Sequence, residues 1–250
     1  MKLLLDLGNS RCKYAVLEPG VPDEYGALAY HNGRRLEVIV SVLEKYAAAD
    51  RVVLCSVLDS QVNDQLQQWL AANKPGEFYF LDTSVRCFGI SIGYQDPGSL
   101  GADRLAALIA AHDQFQGSTC IVDCGTAVTV DALDQGGVHR GGTIFPGVRS
   151  MQVALLADTD MDMDMDQDAG RLAMPANSTR DAIYTGCLSA VAGGIDRIVQ
   201  TMQEQKHPFD QVILTGGDAG LLIPLLSQEI LHKPYWVLGG LKCVCRRIEE

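Results

Sequence analysis

The sequence predicts an α/β fold, and two observations lead to this prediction. Short apolar runs that are typical of buried strands alternate with segments of helical spacing along the 250 residues. In addition, a unit of apolar strand, Asp-x-Gly turn and second strand occurs twice, at Asp6 and at Asp123, which are separated by about half of the chain. An internal duplication is the simplest interpretation of this repeat.

The first half of the chain predicts strands and helices in turn. Strands are expected over residues 2–7, 12–18, 51–57 and 78–82, and helices over residues 35–49, 62–73 and 105–115. Gly117-Ser118 then interrupts the pattern, and a new strand is expected from Thr119. We therefore predict an N-terminal domain of residues 1–117 and a C-terminal domain of residues 118–250.

The second half repeats this plan. CIVDCGT and AVTVDAL (residues 120–133) predict a strand pair, a glycine turn leads into HRGGTIFPG, and VRSMQVALLAD predicts a helix. A long helix over residues 179–202, a strand ending in LTGGD, and a final helix, strand and helix follow, whereas MDMDMDQD has no apolar face and predicts a loop. Two similar domains that face each other are expected to leave a cleft, which is a favoured place for a ligand.

The composition is that of a globular protein with a sizeable core. Apolar residues make up 47% and charged residues 20%, and the formal net charge is −11. This charge argues against a general nucleic-acid binder, which needs clustered Lys and Arg. It leaves a nucleotide enzyme open, because backbone N–H groups and metal ions can neutralise phosphate.

The cysteines and the N-terminus predict a cytoplasmic location. The eight cysteines are dispersed, without a CxxC pair, so we interpret them as reduced, mostly buried thiols rather than zinc ligands. Asp6 interrupts the apolar N-terminal run, which argues against a signal peptide. No apolar stretch approaches the roughly 20 residues of a membrane span.

The first repeat contains DLGNS (residues 6–10), which is typical of an anion-binding turn. A glycine in the turn lets backbone N–H groups approach phosphate oxygens, and Asn9, Ser10 and Lys13 add further donors. The carboxylate of Asp6 suits Mg²⁺ held through water, because magnesium usually keeps several waters. The alternative is a plain hairpin whose aspartate satisfies its own turn.

The second repeat contains DCGT (residues 123–126), with a second carboxylate and a second glycine turn. These would face the first repeat across the cleft, with a metal ion and the terminal phosphates on one side and a cation and the inner phosphates on the other. The alternative is again a plain turn. Cys124 is not interpreted as a nucleophile, because no base is placed nearby in the sequence and buried thiols are common.

The motif GSLGADR (residues 98–104) leads into a strongly apolar helix. Asp103 falls in the first helical turn, where the helix dipole stabilises a carboxylate. As functional residues, Asp103 would be a general base toward a substrate hydroxyl, and Arg104 a fixed cation for a substrate carboxylate or a transferring phosphoryl group. The alternative is that Asp103 or Ser99 is simply an N-cap.

Two further glycine motifs are GGTIFPG (residues 141–147) and LTGGD (residues 214–218). Each runs from a strand through a glycine turn into a helix, which suits a ribose or a phosphate, although Gly-Gly is also typical of a close-packed turn. Neither is a P-loop, and the sequence contains no GxxxxGK[ST] and no GxGxxG.

DLGNSRCK, GADR, DCGTAVTVD, GGTIFPG, NSTRDAI and LTGGD together occur in the order and spacing of the type III pantothenate kinases, and the chain resembles this family over essentially its whole length. The family belongs to the acetate/sugar kinase, Hsp70 and actin superfamily. The resemblance implies two ribonuclease-H-like (actin-like ATPase) domains with an active-site cleft between them, and a homodimer. It also implies ATP-dependent phosphorylation of pantothenate to 4′-phosphopantothenate, the first step of coenzyme A biosynthesis.

The resemblance further implies roles for individual residues. Asp103 is the catalytic base, and Asp123 binds the monovalent cation, K⁺ or NH₄⁺, that the family requires. The implied ATP site comprises Asp6, Leu7, Gly8, Asn9, Ser10, Arg11, Cys12, Lys13 and Thr126. The implied pantothenate site comprises Tyr94, Gly101, Ala102, Asp103, Arg104 and Thr179.

Two alternatives for the function remain open. One is another enzyme of the same superfamily, such as a sugar kinase or an exopolyphosphatase. The other is a regulatory accessory protein that binds a partner and keeps a relic nucleotide cleft. The intact set of Asp6, Asp103 and Asp123 argues against a relic, and the net charge argues against direct DNA binding.

Overall fold

The computed structural model describes residues 1–30, 33–74, 78–84, 87–159, 170–205 and 208–249. The chain divides into two compact units, which we name unit 1 and unit 2. Unit 1 comprises Met1–Gln116, Gln135–Gly141 and Tyr235–Glu250, and unit 2 comprises Gly117–Asp134 and Gly142–Pro234. The predicted MDMDMDQD loop (residues 161–168) lies outside the described residues.

Unit 1 is built on a five-stranded sheet. Its strands are β1 (Lys2–Leu7), β2 (Arg11–Leu17), β3 (Glu24–Ala29), β4 (Arg51–Ser56) and β5 (Phe78–Phe80), in the order β3-β2-β1-β4-β5. Strand β1 is antiparallel to β2 and parallel to β4, and β4 is parallel to β5. Unit 1 also contains α1 (Arg35–Lys45), α2 (Ser60–Asn73), β6 (Ser91–Ile92) and α3 (Ala102–Gln114).

Unit 2 repeats this arrangement. Its strands are β7 (Thr119–Cys124), β8 (Ala127–Leu133), β9 (Val138–Pro146, whose first residues belong to unit 1), β10 (Gln211–Thr215) and β11 (Leu231–His232). Their order is β11-β10-β7-β8-β9, with β7 antiparallel to β8 and parallel to β10, and β10 parallel to β11. Strands β9, β8, β7, β10 and β11 correspond in order to β3, β2, β1, β4 and β5 of unit 1, and the three stated pairings have the same directions in both units. This correspondence confirms the predicted duplication. The remaining helices are α4 (Val148–Ala157), α5 (Thr179–Glu204), α6 (Ala219–Leu222) and α7 (Trp236–Arg247).

The predicted strands and helices are all present, with small shifts at their ends. Among the described residues, two strands were not predicted. Five of the six residues of β3 are exposed, so it lacks the apolar alternation of a half-buried strand. Strand β6 has two residues, which pair with the start of β9 and are too few to give a pattern.

Helix α7 packs with unit 1, although it ends the chain. The buried indole of Trp236 donates a hydrogen bond to a main-chain carbonyl of α3 at 3.0 Å, and Arg247 forms an ion pair of 3.0 Å with Asp113 of α3. The division into domains of residues 1–117 and 118–250 stays a prediction. The compact units differ from it at the C-terminus, where α7 packs on α3, and at Gln135–Gly141, which also belong to unit 1.

Helix α5 is long and apolar enough, by length and composition alone, to cross a membrane, and no such stretch was predicted from the sequence. A helix in the core of a folded unit passes the same test. The apolar side chains of α5 lie in the core cluster of unit 2, and among them are Ile183, Leu188, Val191, Ile195 and Val199. This burial identifies α5 as a core helix.

The cysteines are free in the structure, as the sequence predicts. All eight lie among the described residues, seven of them buried and Cys87 partly buried. Burial raises the pKa of Cys120 and Cys124 well above the ordinary value, with nearby aspartates adding to the effect. These thiols are therefore protonated at neutral pH and serve as small apolar core residues.

Candidate active site

The first predicted loop joins β1 to β2, and its carboxylate lies inside the sheet. Asp6 is the penultimate residue of β1 and is only 3% exposed. It lies opposite Lys13 in β2, and the Lys13 ammonium donates to Asp6 Oδ2 at 3.1 Å. The ammonium offsets part of the cost of burying this carboxylate, while Asn9 and Ser10 in the turn are exposed.

Glycine is not required by the geometry of either predicted loop. A Cβ atom at Gly8 would lie 3.6 Å from the Arg11 carbonyl oxygen, and one at Gly125 would lie 3.6 Å from the Ala127 carbonyl oxygen. Both are ordinary contacts, and neither glycine has a left-handed φ. The plain-hairpin alternative therefore does not explain why glycine stands at these positions. Close approach of a ligand to the backbone would explain it.

Two other glycines of unit 2 are required by the fold itself. A Cβ atom at Gly147 would lie 2.1 Å from the Gly125 carbonyl oxygen, and one at Gly216 would lie 2.3 Å from the Cys124 carbonyl oxygen. Gly216 also has a φ of +99°, which favours glycine. The GGTIFPG and LTGGD motifs thus pack directly on the loop that follows β7.

Asp103 lies in the first turn of α3 and does not cap the helix. The N-cap residue is Gly101, which has no side chain to offer, and Asp103 Oδ1 accepts a hydrogen bond of 2.7 Å from the backbone N–H of Arg104. The Ser99 hydroxyl donates to the carbonyl of Asp96 instead. The alternative that Asp103 or Ser99 is the N-cap is therefore wrong.

Asp6 and Asp103 lie close enough to one buried thiol, that of Cys55, for both of their charges to raise its pKa. Cys55 is adjacent to Asp6 on the neighbouring strand, and its Sγ lies 3.9 Å from Asp6 Oδ1. Burial, together with the charges of Asp6 and Asp103, raises the pKa of the Cys55 thiol well above its ordinary value. Unit 1 thus brings the predicted metal-binding carboxylate and the predicted base into one neighbourhood.

The predicted substrate cation Arg104 is held against an aromatic ring. Arg104 is 7% exposed, and its guanidinium carbon lies 5.4 Å from the centre of the Tyr94 ring. This distance allows a cation–π interaction. Two residues that the family resemblance assigns to the pantothenate site are therefore neighbours in unit 1, although nine residues lie between them in the chain.

Unit 2 groups the residues around the second predicted loop. The Thr126 carbonyl accepts hydrogen bonds from the Gly147 N–H at 3.0 Å and from the Ser150 hydroxyl at 2.6 Å, and Thr126 is exposed. The N–H of Asp218 donates to the Cys124 carbonyl at 3.0 Å. Burial is the main cause of the raised pKa of Cys124, and the charges of Asp123 and Asp218 add to it. A thiol with a raised pKa stays protonated, so Cys124 is a poor nucleophile.

Asp218 is a residue that the sequence analysis quoted within LTGGD but did not assign to the site. The structure places Asp218 beside the second loop, because β10 runs parallel to β7 and Thr215 pairs with Asp123. The carboxyl ends of adjacent parallel strands meet at one edge of a sheet. By contrast, Thr179 is the exposed first residue of α5, and its role rests on the resemblance alone.

The carboxylates of these loops fit weakly held cations rather than a protein cage. Among the described residues, no three His, Cys, Asp or Glu side chains are grouped as metal ligands. Asp6 offers a single carboxylate that already binds Lys13, which fits Mg²⁺ that keeps its waters and shares a substrate's phosphates. Asp123 offers oxygen donors beside the backbone of Gly216, which suit a hard cation such as K⁺.

A groove of about 290 Å³ in unit 2 contains none of the predicted site residues. It is lined by Gln203 and by residues 209–212 and 228–231, at the amino ends of β10 and β11. Ligands of open α/β sheets bind at the carboxyl ends of the strands, where the predicted residues lie. We therefore place the candidate site at the loops and not in this groove.

The two repeated sheets, each with an Asp-x-Gly loop after its first strand in the sequence, define an α/β protein of two similar units. The model of the type III pantothenate kinase family matches residues 2–201. A type III pantothenate kinase from Nitrosococcus oceani is 34% identical, covering 98% of this chain and 94% of the relative. One from Halorhodospira halophila is 37% identical, covering 96% of each. The chain belongs to the type III pantothenate kinase family.

Solved structures agree on the fold. A putative Baf family transcriptional activator from Campylobacter jejuni superposes with a TM-score of 0.64 at 21% identity, covering 99% of this chain and 100% of that one. A ROK hexokinase from Thermus thermophilus superposes with a TM-score of 0.53 at 13% identity, covering 99% and 98%. At these identities the likeness concerns the fold alone, and it confirms the actin-like, sugar-kinase type of α/β fold.

Proposed function

We propose that this chain transfers the γ-phosphoryl group of ATP to the primary hydroxyl of pantothenate, which is the first step of coenzyme A biosynthesis. Membership of the type III pantothenate kinase family is the observation that carries this conclusion. It makes the chain an ATP-using phosphotransferase with a small-molecule alcohol as acceptor. The placement of Asp103, Arg104 and Tyr94 supports the assignment of individual roles.

In the proposed reaction, Asp103 is the general base. Its carboxylate takes the proton of the pantothenate hydroxyl as that oxygen forms a bond to the γ-phosphorus, and the bond between the γ-phosphorus and the β,γ-bridging oxygen breaks to release ADP. Asp103 suits this role because it lies in the first turn of α3, where the backbone N–H of Arg104 orients its carboxylate, while Gly101 occupies the N-cap position. Phosphoryl transfer needs mainly alignment and positive charge, so one base and fixed donors suffice.

The pantothenate site is proposed to lie at the start of α3. Arg104 would pair with the substrate carboxylate, because a buried guanidinium binds carboxylates in a fixed, bidentate geometry. Gly101 and Ala102 would leave room for the substrate backbone, and Tyr94 would hold both the substrate and Arg104. Thr179 is proposed to contact substrate from the neighbouring subunit.

The ATP phosphates are proposed to contact the two glycine loops, one formed by Asp6, Leu7, Gly8, Asn9, Ser10, Arg11, Cys12 and Lys13 and the other including Thr126. The loops would donate backbone N–H groups, and Lys13 would add charge close to Asp6. Mg²⁺ bound near Asp6 would neutralise the terminal phosphates, and K⁺ or NH₄⁺ bound at Asp123 would neutralise charge at the second loop.

The cation role of Asp123 predicts a dependence on K⁺. At constant ionic strength, replacing K⁺ by Na⁺ is expected to lower kcat by about tenfold, because Na⁺ fits a site of different size and oxygen number. Steady-state ADP release at matched salt concentrations measures this. In the Asp123→Asn variant the difference between K⁺ and Na⁺ should disappear, and equal rates of the unaltered protein in both salts would exclude the role.

The two loop glycines predict a loss of ATP binding without a loss of stability. Gly8→Ala and Gly125→Ala add a Cβ that meets only ordinary contacts, so the melting temperature should stay constant or rise. The KM for ATP should rise by about tenfold, because the methyl group keeps a phosphate from one backbone donor. Gly216→Ala is the matched control, and it should unfold more easily because its Cβ overlaps a carbonyl. An unchanged KM in both loop variants would exclude this loop function.

A cytoplasmic homodimer is also proposed. Free cysteines support a reducing compartment, and unit 2 exposes large apolar side chains that a second subunit would cover, namely Ile144, Val153, Leu172 and Met174. Analytical ultracentrifugation should give a mass near twice that of the 27.0 kDa chain. A monomer that turns over pantothenate would exclude both the dimer and a contribution of Thr179 across subunits.

The experiment that tests the proposed function is ADP release with a panel of acceptors. Pantothenate should stimulate ATP consumption strongly, whereas glucose, acetate and water should not. Stimulation by a sugar instead would favour another kinase of the same fold. Tight ATP binding without turnover of any acceptor would favour the regulatory alternative.

A further inference from the structure

A buried histidine, His139, contacts the ring of Tyr94, which is a residue of the proposed pantothenate site. His139 in β9 is fully buried (0% exposed), and the centre of its ring lies 5.3 Å from the centre of the Tyr94 ring, at an interplanar angle of 41°. The Arg104 guanidinium lies 5.4 Å from the same tyrosine ring. His139 and Arg104 therefore both lie against the ring of Tyr94 within unit 1.

The backbone before Tyr94 is also held by His139. Ile92 of β6 pairs with His139 in parallel register. At the next residue, Gly93, an added Cβ would lie 2.1 Å from the His139 carbonyl oxygen. The two backbone segments are therefore too close for any residue other than glycine at this position. His139 thus contacts the segment that carries Tyr94 at two places, through its main chain and through its ring.

We propose that His139 is a positioning residue for the pantothenate site: its imidazole fixes the ring of Tyr94, which in turn fixes the guanidinium of Arg104. The inference rests on the proposed function, and it adds a residue that touches neither substrate nor ATP. The Tyr94 phenol is half-buried, so without a ring behind it the side chain gains rotamer freedom. Arg104 then loses the aromatic face that orders it.

The imidazole acts here through its shape. Tilted pairs of aromatic rings at this centroid distance attract each other beyond simple burial, and a phenyl ring is also flat and aromatic, although it is one atom larger than an imidazole. His139→Phe should therefore keep Tyr94 in place. His139→Ala and His139→Gln remove the ring and should release it.

The test is a kinetic comparison of the full-length protein and its variants, with pantothenate and ATP varied separately. His139→Ala is expected to raise the KM for pantothenate by about tenfold, with the KM for ATP changed less than about twofold, and His139→Phe to restore most of the loss. His232→Ala, an exposed histidine of β11, is the control and should behave as the unaltered protein. If His139→Ala does not fold, His139→Gln is measured in its place.

A double-mutant cycle with Tyr94 separates positioning from a general structural effect. In a Tyr94→Ala background, removing the His139 ring should change the KM for pantothenate by less than about twofold, because the Tyr94 ring through which it is proposed to act is gone. An undiminished effect in that background, an equal rise in the KM for ATP, or no rescue by His139→Phe would each overturn the inference. Pantothenate turnover by the unaltered protein is read separately, so its absence would refute the proposed function rather than the role of His139 alone.

Discussion

Asp103→Asn is expected to lower kcat by about 10²–10⁴-fold, which is the usual contribution of a general base. Asparagine keeps the shape of the side chain and can still accept the hydrogen bond from the Arg104 N–H, which is 2.7 Å long in the structure. It cannot take a proton from the substrate hydroxyl. The KM for ATP and the melting temperature should therefore stay near those of the unaltered protein, since Gly101 and not Asp103 caps the helix.

The control for this variant is Asp64→Asn, an exposed aspartate of α2 in the same unit. It removes one negative charge without touching α3, and it should keep full kcat. Steady-state kinetics and thermal unfolding of both variants separate a lost base from a general charge effect. Turnover of Asp103→Asn at the rate of the unaltered protein would remove Asp103 from the mechanism.

Gly240→Ala is expected to lower the free energy of unfolding by about 3 kcal/mol, at the upper end of what overpacking costs. Helix α7 crosses α3 so closely that a Cβ atom at Gly240 would lie 1.8 Å from the Ala106 carbonyl oxygen. A main-chain atom in a helix cannot rotate away, so the two helices have to separate. Because α3 carries Asp103 and Arg104, kcat with pantothenate should fall as well.

The neighbouring glycine provides the matched control. A Cβ atom at Gly239 would have no atom within 4 Å, so Gly239→Ala gains helix propensity without overlap and should stabilise the protein by up to about 1 kcal/mol. Chemical denaturation of the two variants measures the difference. Equal stability of Gly239→Ala and Gly240→Ala would contradict the close packing of α7 on α3.

Much of the fold follows from local patterns in the sequence. The apolar runs of β1 and β7 and the Asp-x-Gly turns after them repeat, and the sheets of the two units repeat in the same strand order. The family motifs supplied the site residues. What a local pattern cannot supply is contact between distant segments, because α7 is joined in sequence to unit 2 but packs on α3 in unit 1.

The same limit applies to the candidate site. Asp103 was assigned from its motif, but its hydrogen bond and the capping of α3 by Gly101 needed coordinates. His139 lies in a strand among glycines and shows no motif of its own, and only the pairing of β6 with β9 brings it behind Tyr94. Asp218 stands in a quoted motif, but the strand order that makes its loop a neighbour of the Asp123 loop also needed coordinates.

Following the phosphoryl group itself is the most direct test of whether this chain transfers it from ATP to pantothenate. The protein is incubated with ATP carrying ³²P in its γ-phosphate, together with pantothenate, Mg²⁺ and K⁺, and the products are separated. We expect label in 4′-phosphopantothenate, formed in equal amount to ADP, and almost none with Asp103→Asn. Label that stays in ATP, or that is released only as inorganic phosphate, would contradict it.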